Sequence, residues 1–219
     1  MVHAPVRRID SSLPRKAARD IRRAQLIDAT IFALARKGYA ALTLSDVAKE
    51  AGLSTGIVIF HFSSKDGLLE AVLSALAAEY HQNWEAQLRA AGPSPSARLK
   101  AMLLADFDTA IFTPEKLAAW VAFWGEAQGR PVHDQICAPY DAERRRVLEG
   151  LCQQLIIEGG YDVDVYLTGR TLEALCDGLW LGLASYGAGL KERVSASEAH
   201  KIVASALACL FPRHFSQRS

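Results

Sequence analysis

Apolar residues recur along this chain at three- and four-residue intervals, the period of helices that pack on one face. Ile27, Ile31 and Leu34 form such a stripe and predict a helix from about residue 20 to 37. Val47, Ala48 and Ala51 give one apolar face to a much shorter helix. Thr43 or Ser45 can cap its start, and Gly52 stops it, because glycine tolerates the left-handed conformation of a helix end. Leu53 plugs the turn, and Ser54 can cap a second short helix, STGIVIF. Ser63, with Asp66 three residues on, reads as the start of a longer helix over about 65–91, with Leu68, Leu69, Val72, Leu76 and Tyr80 facing inward.

Breakers divide the rest. Gly92-Pro93-Ser94-Pro95 separates that helix from the next. Thr113-Pro114 places proline at the first position of another helix, which Gly129-Arg130-Pro131 ends. A long helix is predicted over about 132–158, with Pro139 as the place for a kink and Gly159-Gly160 as its end. Two last helices are predicted over about 164–187 and 195–210. With no strand pattern and no internal repeat, the expected fold class is all-α.

Two short helices joined by a tight glycine-containing turn are the geometry that puts the second helix into a DNA major groove. Residues 20–70 resemble the DNA-binding domain of TetR-family repressors. The resemblance rests on RRAQLIDAT, Lys37-Gly38-Tyr39, Thr43 with Asp46-Val47-Ala48, Ala51-Gly52-Leu53-Ser54, Gly56, His61-Phe62 and Lys65. It implies a three-helix helix-turn-helix DNA-binding domain over 19–66 and a C-terminal helical ligand-binding and dimerisation domain over 67–219. Residues 1–18, with two prolines and Arg7, Arg8, Arg15 and Lys16, read as a flexible basic arm. At 219 residues the chain suits one small domain plus one of about 150.

Net charge is only +1, but its distribution is uneven. Residues 1–67 hold eleven Lys/Arg against six Asp/Glu, and residues 68–219 fourteen against eighteen. A basic N-terminal third on an acidic remainder is the electrostatic footprint of a DNA reader. Cys137, Cys152, Cys176 and Cys209 form no CxxC and no zinc-spaced cluster with histidine, so buried free thiols, no metal and a reducing cytoplasm are expected. No signal-peptide pattern opens the chain. The longest uncharged apolar run, Gly178–Leu190, has 13 residues, short of the roughly 18–20 needed to span a bilayer, so no membrane partner is expected.

In the reading head, Thr55, Gly56 and Ile57 open the recognition helix, where residues reach base edges. Thr55 can hydrogen-bond a base or touch a thymine methyl, Ile57 can make apolar contact, and Gly56 permits close approach. Thr43, Ser54, His61 and Lys65 suit phosphate, which fixes register rather than sequence. The resembled family often carries tyrosines where this chain has Ile59 and Phe60. Phe62 is expected in the core.

Ala119-Trp120-Val121-Ala122-Phe123-Trp124, Asp177-Gly178-Leu179-Trp180-Leu181, STGI and the Lys65–Ala71 run resemble the BetI-like subgroup, choline-responsive repressors of glycine-betaine synthesis genes. That resemblance implies a quaternary-ammonium effector. Such a cation donates no N–H bond and is held by aromatic faces. Trp120, Phe123, Trp124, Trp180 and Tyr186 are the candidate walls. Asp177 is the principal candidate carboxylate, beside Asp108 and Glu126, although a bond from Asp177 to Arg170 or to a neighbouring helix is the structural alternative. Arg144-Arg145-Arg146 reads as solvent-facing or interfacial, and Asp106 and Asp108 do not share a helix face.

No GxSxG, P-loop, HExxH or dinucleotide fingerprint occurs, so neither an enzyme nor a cofactor is expected. The reading is a ligand-responsive transcriptional regulator whose partners are a double-stranded, palindromic DNA operator, a small-molecule effector and a second copy of the chain. Leu175, Leu179, Leu183, Ile202, Ala206 and Leu210, with small Gly178, Gly182 and Ala199 between them, are expected to build the homodimer interface as a four-helix bundle. The alternatives are a repressor sensing a lipophilic drug, an acyl thioester or another metabolite, and a helical enzyme or interaction module with a vestigial head.

Overall fold

The computed structural model describes residues 14–109, 111, 113–126, 131–185 and 194–215. Every regular element among them is a helix: α1 (Arg15–Ala41), α2 (Leu44–Ala51), α3 (Thr55–Phe62), α4 (Lys65–Ala90), α5 (Pro95–Ala105), α6 (Pro114–Glu126), α7 (Pro131–Gly159), α8 (Val165–Ser185), α9 (Ala196–Leu210) and α10 (Pro212–Phe215). The predicted arm is corrected in part, because Arg15–Ala18 already belong to α1, behind Pro14 at the N-cap. Residues 1–13 of that arm, with Arg7 and Arg8, lie outside the described residues. The short α10 carries no sequence period long enough to predict.

By its contacts the chain forms two compact units. One comprises residues through Ala78 together with Pro114–Cys137, and the other comprises Glu79–Thr113 with Ala138–Ser219. In the first unit α6, from the middle of the sequence, packs along α1. Leu26, Ile27, Ile31 and Leu34 of α1 are buried in this unit, as are Val47, Val58, Phe62 and, on α4, Leu68, Leu69 and Val72. At about 25 cal/mol per Å² of apolar surface removed from water, such burial is what makes helices this short hold their shape.

In the second unit, Trp84, Phe107, Met102, Leu148, Leu172, Val203 and Phe211 belong to one continuous core. Two features there correct the sequence reading. Arg144 is not a surface cation: only 6% of it is exposed, and it donates to Asp106 at 2.5 Å. Tyr80 donates its hydroxyl to the other oxygen of the same carboxylate at 2.7 Å. Burial works most strongly against the Arg144 charge, but Asp106 together with Tyr80, Cys176 and Glu173 outweighs it and holds the guanidinium above its ordinary pKa. Burial pushes the Tyr80 hydroxyl and the neighbouring Cys176 thiol upward, and the same carboxylate adds to both shifts. The cysteines lie outside any disulfide; Cys137, Cys152 and Cys176 are buried, but Cys209 is exposed, contrary to expectation.

Candidate DNA-reading head and effector residues

The head begins with a cap. Thr43 accepts from the backbone N–H of Asp46, and the Asp46 carboxylate accepts from the N–H of Thr43, so two orphan donors at the start of α2 are satisfied together. Lys37 donates to Asp46 at 2.5 Å. That bond first, and Thr43 second, hold the Asp46 carboxyl down at about 2. Gly52 ends α2 at φ 66°, the left-handed geometry its place in the sequence predicts. Gln25 of α1 reaches across to donate to the Ala51 carbonyl at 2.9 Å, and Arg36 of α1 pairs with the buried Glu50. These bonds fix α2 on α1 and leave the turn to set the direction of α3.

Val58 and Phe62 bury one side of α3, as expected for Phe62, while Ile59 and Phe60 stand 48% and 71% exposed. Gly56 is exposed, and Thr55 and Ile57 are half-buried at the opening of the helix. Ser54 occupies the N-cap position, but its side chain makes no capping bond, which departs from the sequence expectation. Its exposed hydroxyl therefore has no role in holding α3. The cap of α4 also differs. Ser63 adopts φ 63° at the end of α3, and Ser64 accepts from the N–H of Gly67 at 3.0 Å. Lys65 donates to the carbonyls of Tyr39 and Ala40 at 3.0 and 3.2 Å, tying α4 to the end of α1.

Sequence reasoning did not single out a basic flank on α1 as part of the site. The Arg19 guanidinium lies 5.9 Å from the Phe60 ring centroid, and that of Arg23 lies 5.2 Å from the Phe62 ring centroid. His61 lies in the field of Arg19, Arg22 and Arg23. Desolvation first, and those three charges next, lower its pKa from the ordinary 6.5. Its Nδ1 is buried without a hydrogen-bond partner. The signal was in the sequence as the RDIRRAQ run, but only the fold brings that run beside α3.

The effector candidates divide between the units. Trp120 and Trp124 lie four apart on α6, with Trp120 half-buried and Trp124 37% exposed. Phe123 does not join their face. It turns inward with Ala119 and meets Tyr39 of α1 edge-on, with ring centroids 5.8 Å apart. On α8, Trp180 is half-buried and Asp177 is exposed. Arg170 pairs with Glu173. Partial desolvation raises the Asp177 carboxyl from its usual value. Tyr186 lies outside the described residues.

Of the expected interface stripe, Leu179 is buried within the chain itself, Leu175, Leu183, Ala206 and Leu210 are half-buried, and Ile202 is exposed. The side of α9 that faces its own chain is instead Ala199, Val203 and Leu207. Among the described residues no helix is long and apolar enough to cross a membrane.

Residues 26–72 match the family described as bacterial regulatory proteins, tetR family, and residues 95–212 match the BetI-type transcriptional repressor C-terminal domain. The HTH-type transcriptional regulator BetI of Paraburkholderia xenovorans (strain LB400) is 36% identical over 169 residues, covering 77% of this chain and 85% of that protein. A transcriptional regulator of Pseudomonas aeruginosa PAO1 has a similar structure, with a TM-score of 0.74 and 28% identity, covering 94% of this chain and 97% of that one. A transcriptional regulator from Saccharomonospora viridis, solved in complex with choline, has a TM-score of 0.73 at 19% identity, covering 86% of this chain and 96% of its own; at that identity the likeness concerns the fold.

Proposed function

The chain belongs to the tetR family of bacterial transcriptional regulators, with a BetI-type C-terminal domain, and on that premise we propose that it is a homodimeric repressor, held on a palindromic operator and released by a small inducer of the quaternary-amine class. The observation that carries the DNA part is the opening of α3. Gly56 is exposed and Thr55 and Ile57 are half-buried there, while Val58 and Phe62 anchor the helix. Thr55 and Ile57 read base edges; Thr43, Ser54 and His61, with Arg19, Arg22 and Arg23, face phosphate. Lys65 acts mainly by tying α4 to α1, and its charge adds to the same basic field.

One head covers a half-site, so two copies must present their heads about 34–36 Å apart, or a multiple of that, to meet one face of the groove. The exposed Ile202 and the half-buried Ala206 and Leu210 support α9 as part of the pairing surface, together with Leu175 and Leu183 of α8. Ile202, 39% exposed, would otherwise stay wet.

For the effector, Trp120 and Trp124 support the quaternary-amine reading by placing two indoles four residues apart on α6. Trp180 and Asp177 are separate candidates on α8. Choline is the first compound to test, because the BetI-type C-terminal match and the choline complex of the Saccharomonospora regulator both lead to it. Calorimetric titration with choline, against its neutral isostere with carbon in place of the quaternary nitrogen, tests the class. Choline should bind and weaken operator binding, and the isostere should bind more weakly by about 2 kcal/mol in a desolvated site. Trp120→Ala should lose induction and keep operator binding. No binding at millimolar choline, with tight binding of a lipophilic drug, would replace this effector class.

A further inference from the structure

Arg22 and Arg23 follow Arg19 by three and four residues on α1, so the three share one helix face. Each is held by a different contact. The Arg19 guanidinium lies 5.9 Å from the Phe60 ring centroid, and that of Arg23 lies 5.2 Å from the Phe62 ring centroid. Arg22 donates to the side-chain oxygen of Gln25 at 2.6 Å, and the amide of this buried glutamine donates to the carbonyl of Ala51, the last residue of α2, at 2.9 Å. Thus α2 and α3 set where these side chains of α1 stand. Among the described residues none of the three guanidinium groups takes part in an ion pair, which leaves their charge for an outside anion. After desolvation, the same three charges are what lowers the His61 pKa, so they converge on the end of α3.

Phe60 stands apart among these supports. Phe62 and Gln25 are buried and belong to the packing of the unit. Phe60 is 71% exposed and contributes little to that packing. Its ring has no group that can donate to a phosphate oxygen. A guanidinium resting over a ring, by contrast, keeps N–H donors for a phosphate. An arginine free in solvent loses rotamer freedom when an anion captures it, and one already laid on a ring loses less.

We propose that Phe60 is a positioning residue for DNA binding: it holds Arg19 ready for a backbone phosphate and so adds affinity without reading sequence. This rests on the reading of this unit as a DNA-binding head, but not on its preference for an operator.

Anisotropy titrations of the full-length protein onto DNA from upstream of its own reading frame, and onto random duplex of equal length, test the proposal. The proteins compared are wild type, Phe60→Leu, Arg19→Gln and the double variant. Arg19→Gln should weaken binding to both duplexes and lower the salt slope by about one. Phe60→Leu should weaken both by about two- to fivefold, the size of an exposed cation–ring contact, and cost nothing further once Arg19 is replaced. Its thermal unfolding midpoint should stay at the wild-type value, because the ring is exposed. Phe60→Trp, whose indole attracts a cation more strongly, should bind as tightly as wild type. Unchanged DNA affinity in Phe60→Leu would overturn the proposal. So would an equal loss with and without Arg19, which makes the ring itself the DNA contact, or a Phe60→Trp protein as weak as Phe60→Leu. The repressor reading fails differently. A wild type with equal affinity for the two duplexes loses its operator, yet the same comparison still decides the part of Phe60 on either duplex. A wild type that binds neither duplex overturns both.

Discussion

Arg144 and Asp106 form an ion pair inside the core of the second unit, 2.5 Å apart, with side chains 7% and 6% exposed. A buried pair adds little stability beyond what apolar residues would give, but breaking it leaves an uncompensated charge. Arg144→Ala should therefore destabilise the protein by about 3–5 kcal/mol, read as a lowered urea midpoint. Arg144→Met combined with Asp106→Leu should recover most of that loss. A single Arg144→Ala change with an unaltered midpoint would place the charge in solvent instead.

Thr55 and Thr43 should separate in their effects. Thr55→Ala should weaken operator binding by about 1–3 kcal/mol and leave random duplex unaffected, if it touches a base. Thr43→Ala removes the cap of α2, so it should cost about 1 kcal/mol of stability. It should also lower affinity for both DNAs. Anisotropy titrations on the two duplexes decide between these patterns, and equal losses on both for Thr55→Ala would remove its readout role.

His61 gives the head a pH dependence with a defined sign. Its folded pKa lies below the ordinary 6.5, so as pH falls the unfolded chain takes up the proton first. The stability this group contributes is present above pH 6.5 and is lost as pH falls below it. A phosphate beside the ring opposes the field of Arg19, Arg22 and Arg23, so DNA binding should take up a proton at mildly acidic pH. Operator affinity should rise as pH is lowered from about 7.5 to about 6, and His61→Gln should flatten that slope. A slope that persists in His61→Gln belongs to another group.

Pairing of two copies should depend on the apolar side of α9. Ile202 is 39% exposed in the single chain, so Ile202→Glu leaves the chain's own core intact while setting a charge in the proposed interface. Sedimentation equilibrium should show monomers of normal thermal stability. Leu179→Glu is a poorer test, since Leu179 is buried within the chain itself. An intact Ile202→Glu dimer puts the interface elsewhere.

Local chemistry was legible in the sequence wherever cause and effect lie within a few residues. The stripe of Ile27, Ile31 and Leu34, the Thr43 cap, the turn at Gly52 and the ends near Gly92 and Gly160 are all of this kind. What long-range packing decides was not legible. Arg144 reads as one of three surface arginines until Asp106 and Tyr80 arrive from other helices. Phe123 shares an apolar segment with Trp120 and Trp124, but helical rotation and the approach of Tyr39 turn it the other way. Trp84, the largest fully buried side chain, drew no notice because nothing next to it in sequence marks its burial.

The most direct measurement is a titration of the full-length protein, at physiological salt, onto DNA from upstream of its own reading frame and onto random duplex of equal length. A dimeric repressor should prefer one palindromic segment by about a thousandfold or more and bind it with two protomers or a multiple of two. Equal affinity for both duplexes, or a single protomer on the preferred one, would contradict the assignment of this chain as an operator-bound dimeric repressor.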